Sequence, residues 1–68
     1  MNRRIARLRR QARRWIGRRV DVDRFVGSDI EGVLLSVFEN YIVLRVRRRG
    51  EWVRVRVNFT NIEDIDLD

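Results

Sequence analysis

The spacing of apolar residues along this chain changes once, at Gly17. Before it, Ile5, Leu8, Ala12 and Trp15, followed by Ile16, recur at the three-and-four spacing of one helical face. The pattern predicts a helix over 2–16, stopped by Gly17. Arg3, Arg7, Arg10 and Arg14 line up opposite the apolar face. After Gly17 the period shortens toward two, and five strands are predicted. "RRVDVDRFV" (18–26) alternates around Val20 and Val22 before "GSD" turns the chain. The second strand covers 29–38, and "EN" or "ENY" leads into the third, 41–48, where Ile42, Leu44 and Val46 face one way. "RRG" at 48–50 reads as a hairpin turn. In the fourth strand (51–57), Val53, Val55 and Val57 point inward, and Trp52, Arg54 and Arg56 outward. "NFTN" is a short corner before the fifth, "IEDIDL" (62–67).

The second strand breaks the alternation. In "EGVLLSVFENYIVLRV" (31–46) and the residue before it, Ile30, Leu34 and Phe38 share one parity while Val33, Leu35 and Val37 occupy the other. A strand covered on both sides reads as such a nearly continuous apolar run. Gly32 adds a second clue, because a strand-interior Gly marks a sharp bend or a close backbone approach. The expected fold is therefore mainly β: an N-terminal α-helix and a five-stranded, strongly bent antiparallel barrel over 18–67, in one domain, 1–68. One parity of the bent strand fills the barrel, and the other lies beneath the helix.

Length and composition qualify this picture. A chain of 68 residues holds one core, and at this size only about 60% of the unfolded surface is buried. Small domains compensate with disulfides, metal or self-association. With no Cys and no His, self-association is the expected reinforcement, through the unpaired edges of the fourth and fifth strands. The lack of Cys permits a reducing, cytoplasmic setting. No apolar run reaches the roughly 18–20 residues of a membrane span. The Arg-rich, acid-free start is like an organelle transit peptide but contains no Ser, and it runs straight into a strand, so it is expected to belong to the mature fold.

All sixteen basic residues are Arg, against ten acids, for a net charge of +6. Residues 1–27 hold ten Arg and two Asp; residues 28–68 hold six Arg and eight acids. Arg grips phosphate bidentately and stacks on rings, as Lys cannot, although a GC-rich genome or a hot habitat produces the same bias. The helix ridge of Arg3, Arg7, Arg10 and Arg14 has three open readings: a nucleic-acid face, a face for a membrane surface or acidic protein, or a solvated face. On the sheet, Trp52 stands between Arg45 or Arg47 and Arg54 or Arg56, a stacking surface suited to single-stranded nucleic acid. The alternative places Trp52 under the helix or at a subunit contact, and Trp15 reads as core.

Catalysis has little to draw on without His or Cys. Glu63, Asp64, Asp66 and Asp68 lack the Gly-containing loop of a calcium site and read as a solvated tail offsetting Arg nearby or on a neighbouring subunit. No phosphate loop or dinucleotide fingerprint occurs. The expectation is a non-enzyme with no cofactor and no metal.

"IEGVLLSVFENYIVLRV" is similar to the first motif of the Sm-like family, which includes bacterial Hfq and the archaeal and eukaryotic Sm proteins. "VNFTNIEDI" is similar to the second motif, and the resemblance covers essentially the whole chain. The chain also resembles short Sm-like proteins of spore-forming bacteria in which "G-x-L…YI-x-L…I-x-x-I" recurs. The resemblance implies a homo-oligomeric ring of six or seven subunits, with the fourth strand of one paired to the fifth of the next. It also implies RNA at the pore and on the ring faces, with Phe38, Glu39, Asn40, Asn58, Thr60 and Asn61 on the pore side. Phe38 stands where the family usually has Asp, and Asn58, Phe59 and Thr60 replace the Arg-Gly or Tyr-Lys-His before the last strand. Asn61 keeps an Sm-like identity.

Overall fold

A computed structural model describes residues 2–68 as a helix, α1 (Arg3–Arg14), followed by strands β1 (Arg19–Arg24), β2 (Ile30–Val37), β3 (Tyr41–Arg48), β4 (Glu51–Asn58) and β5 (Ile62–Leu67). A short 3-10 turn, Phe59–Asn61, joins β4 to β5. The helix is shorter than the 2–16 expected, for local reasons. The Asn2 side chain accepts a hydrogen bond from Ile5 N (3.1 Å), which makes Asn2 the N-cap and not a helical residue. At the other end Trp15 closes the helix, and Gly17 N donates to Leu34 O (2.7 Å), so the chain already joins the sheet there.

The strands form one antiparallel sheet in the order β4-β3-β2-β1-β5. This corrects the expected closed barrel: the sheet is open, with β4 and β5 as its two edges. The ladders show which backbone groups the edges leave outward. Phe59 N donates to Asn40 O, which sets the hydrogen-bonding phase of β3–β4. Alternate residues of an antiparallel strand bond to the same neighbour, so Val53, Val55 and Val57 bond to β3. The backbone groups of Trp52, Arg54, Arg56 and Asn58 then point away from the sheet. On the other side Asp68 N donates to Arg19 O, so Asp64 and Asp66 bond to β1 while Ile65 and Leu67 face outward.

Two local devices shape the sheet. Arg49 (φ 51°) and Gly50 (φ 80°) are both left-handed, the conformation of a two-residue type I′ hairpin, and the turn fixes the β3–β4 register from Arg48↔Glu51 outward. In β2 the register with β3 shifts between Leu34 and Ser36, which makes Leu35 the extra residue of a bulge. The bulge resolves the broken alternation. Ile30 and Leu34 are buried before it; after it Val37 packs against the core and Phe38 is exposed, contrary to the shared parity expected for Phe38.

Gly32 answers to a close approach. A Cβ there would lie 2.5 Å from the carbonyl oxygen of Arg45 and 3.0 Å from Val46 Cγ2. No side chain fits without moving β3 backbone.

The core is a single cluster. Leu8 and Ala12 of α1 join Val20, Val22, Leu34, Ile42, Leu44, Phe59, Ile62 and Ile65, all 0 or 1% exposed. The helix therefore covers the same face that the barrel was expected to fill. The second face of β2 does not lie beneath it: Val33 pairs between Arg19 and Arg45 on the opposite, outer face. Val53 and Val55 are only half-buried, so the core thins toward β4. Ile16, expected on the apolar face, is exposed beyond the helix end.

Candidate nucleic-acid interface

The arginines divide into those used by the fold and those it leaves free. Arg4 donates to Ile62 O and lies 5.1 Å over the Phe25 ring. Arg9 donates to Glu39 O (3.0 Å), approaches the Glu39 carboxylate (3.7 Å) and covers Phe59. Arg19 pairs with Asp68 (2.8 Å) and Glu31 (3.7 Å). With Gln11, which donates to Ile65 O (2.8 Å), Arg4 ties the helix to the backbone of β5. Arg4 and Arg9 lie outside the ridge of Arg3, Arg7, Arg10 and Arg14, and their helical offset turns them toward the sheet.

Arg3, Arg7, Arg10 and Arg14 are all exposed on the outer side of α1, as their spacing predicts. Arg7, Arg10 and Arg14 line, with Gln11 and Trp15, a shallow groove of about 390 Å³. None of the four has an ion-pair partner among the described residues.

A second set stands on the outer face of the β3–β4 hairpin. Arg45 lies directly opposite Arg54, Arg47 opposite Trp52, Val43 opposite Arg56 and Tyr41 opposite Asn58. Arg45, Arg47, Arg54 and Arg56 are exposed, and none has an ion-pair partner among the described residues. The ladder phase makes Arg45 and Arg54 a non-hydrogen-bonded pair, whose side chains stand closest. Like charges placed directly opposite destabilise a sheet. Aromatic rings collect these cations: the guanidinium carbons of Arg45 and Arg47 each lie 5.0 Å from the Trp52 ring, and that of Arg56 lies 4.1 Å from Tyr41. Trp52 is thus neither under the helix nor in the core, and is 51% exposed. Tyr41 was missed in sequence, although counting back from the Arg49–Gly50 turn places it beside Arg56.

The positions assigned to a pore by resemblance separate in the fold. Phe38, Glu39, Asn40, Asn58 and Thr60 are exposed near one end of the sheet, where Asn40 O accepts from Phe59 N (3.0 Å) and Phe38 stacks on Tyr41 (4.9 Å). Asn61 is turned elsewhere. Its amide accepts from Val26 N (2.9 Å) and donates to Val26 O (3.1 Å), pinning the β1–β2 turn.

The carboxylates gather at the opposite edge. Asp23 sits within 4.8 Å of Asp21 and Asp29 on one side and of Asp64 and Asp66 on the other. Partial burial, then the neighbouring Asp29 and Asp21, raise the Asp23 carboxyl above its ordinary value. Asp64 does the same to Asp66. No helix among the described residues is long and apolar enough to cross a membrane. Comparison with family models, curated proteins and solved structures finds no match to this chain.

Proposed function

We propose that the chain is an Sm-like protein that assembles into a ring and binds RNA, most readily single-stranded, through arginine-rich surfaces. The observation that carries the reading is the outer face of β3–β4, where four arginines occupy adjacent register positions with no carboxylate partner. A fold gains nothing internally from facing Arg45 with Arg54; a polyanion gains counterion release from both. The exposed ridge on α1 offers a second set of phosphate contacts. The two edges support the ring reading. β4 carries Arg54 and Arg56 with outward backbone groups, and β5 carries Glu63, Asp64 and Asp66, so the fourth strand of one subunit complements the fifth of the next in charge, with Gln11 and Arg4 already on the Ile65 and Ile62 carbonyls.

A second reading, a scaffold that docks on an acidic protein or an anionic membrane, has one observation of its own. Phe25 and Val26 are 55% and 76% exposed on the turn that Asn61 pins, beside Arg4.

Native mass spectra with and without a single-stranded oligonucleotide, joined to a salt titration, test the proposal. A closed oligomer that carries RNA is expected, with a slope of log affinity on log salt of about 0.7 per phosphate contacted. Arg→Gln at 3, 7, 10 and 14 should shallow that slope by two units or more while leaving folding and assembly intact. A monomer that binds RNA weakly, with a shallow slope and no loss in the variant, overturns it.

A further inference from the structure

The arginines of the sheet are arranged more regularly than a general basic patch requires. Arg47 faces one row of the hairpin, Arg45 and Arg54 share the next, and Arg56 faces the row after that. Alternate residues on one face of a strand are about 6.7 Å apart, close to the separation of successive phosphates in an extended single strand. Trp52 closes one end of this series and Tyr41 the other. The Trp52 ring already has two guanidiniums against it, each at 5.0 Å. A base stacking on that ring competes with these cations for it, whereas a phosphate gripped by Arg45 or Arg47 leaves the ring contacts in place.

We infer that the outer face of β3–β4 is a three-rung phosphate ladder for an extended single strand, on which Trp52 acts as a positioning residue and not as a platform for a base. The ligand is the phosphodiester backbone itself, read at one-nucleotide pitch and without regard to base. This rests on the RNA-binding reading above and narrows it: the indole collects two cations that otherwise repel each other and fans apart, and holds them in register with Arg54. The same ring interactions place Arg56 over Tyr41 at the far rung.

Affinities of an oligouridylate and of an abasic phosphodiester strand of the same length, measured with wild type, Trp52→Phe and Trp52→Ala, test this. The two strands are expected to bind wild type within about twofold of each other, where a stacking platform predicts a loss of about tenfold or more for the abasic strand. Trp52→Ala should weaken both strands equally, by about tenfold, and lower the salt slope, because losing the ring scatters Arg45 and Arg47. Trp52→Phe, which keeps an aromatic face, should restore most of the affinity for both. If the abasic strand binds much more weakly than oligouridylate, bases are being read and the inference falls while the RNA reading stands. Unchanged binding of both strands by Trp52→Ala removes the positioning role. Wild type that binds neither strand at low salt defeats the RNA reading itself. Should Trp52→Ala fail to fold, the comparison of the two strands on wild type decides alone.

Discussion

The two halves of the sheet are built to different standards. In the half made by β1, β5 and α1, Leu8, Ala12, Val20, Val22, Ile62 and Ile65 are fully buried, the helix is tied to β5 by Arg4 and Gln11, and the β1–β2 turn is pinned by Asn61. In the β3–β4 hairpin, Val53 and Val55 are half-buried, the backbone groups of β4 face outward and four arginines repel one another. The first half ties its elements together, although at its edge Asp21 Oδ1 is buried without a partner among the described residues and Asp23 and Asp66 crowd neighbouring carboxylates. The second carries features that cost stability in an isolated chain and that a partner or a polyanion relieves. On the proposed reading the hairpin is where a bound strand or a neighbouring subunit would gain energy, and the helical half is what holds it in place.

The largest effect is expected where the halves meet. Gly32 pairs with Val20 of β1 and lies against the Arg45 carbonyl of β3. Because a Cβ there meets backbone 2.5 Å away, relief requires moving a strand and not a flexible side chain. Gly32→Val should cost about 4 kcal/mol or more and, in a domain this small, abolish the folded state by circular dichroism. A folded Gly32→Val protein with an unchanged melting temperature would mean the hairpin does not fold back on β2 as described.

The next comparison sets one truncation against another. Leu8 is fully buried between the helix and the sheet, and Leu8→Ala should cost about 3 kcal/mol in chemical denaturation. Val55→Ala removes side chain that is already half in solvent and should cost about 1 kcal/mol or less in the dilute protein. Repeating the Val55→Ala measurement at high protein concentration sharpens the contrast. If its cost grows toward that of Leu8→Ala, a second subunit covers the hairpin face; if it stays small, the face remains open. Equal costs for the two variants at every concentration would remove the distinction between the halves.

The sequence made the well-covered half legible and left the ambiguities to the hairpin and the edges. The helix and all five strands lie within two residues of where periodicity puts them, because burial of Leu8, Ala12, Val20, Val22 and Ile65 enforces the pattern. The bulge at Leu35 was not legible: two apolar residues in a row fit either face, and only the partner strand says which one is extra. Nor was the open edge. Whether β4 and β5 meet depends on how far the sheet curls, which no local pattern encodes. Among the candidate binding residues, the exposure of Arg3, Arg7, Arg10, Arg14, Arg45, Arg47, Arg54 and Arg56 followed from spacing alone. The use of Asn61 as a clamp did not, since an Asn before a strand is equally suited to a pocket and to a turn.

The smallest predicted effect tests the acidic edge. Asp66 has its carboxyl raised above the ordinary 3.8, first by Asp64 and then by slight desolvation. A carboxyl raised in the folded state binds its proton more readily there than in the unfolded chain. Between the raised value and 3.8 the folded form therefore holds more protons, and stability from this group increases as pH falls through that window. Asp66→Asn should remove the repulsion at all pH values: a slight rise in melting temperature near pH 7 and a flatter profile on mild acidification. That sign belongs to the isolated chain. If β5 instead lies against Arg54 and Arg56 of a neighbouring subunit, the carboxylate gains a counter-charge. Asp66→Asn then weakens assembly, and mild acid dissociates the oligomer. A melting curve at low concentration and a sedimentation profile at high concentration, both taken across the same pH range, read the two signs separately. Stabilisation in the first with weakening in the second shows that the acidic edge is strained alone and relieved on pairing. Stabilisation in both shows that the hairpin's arginines serve a ligand and not a neighbour.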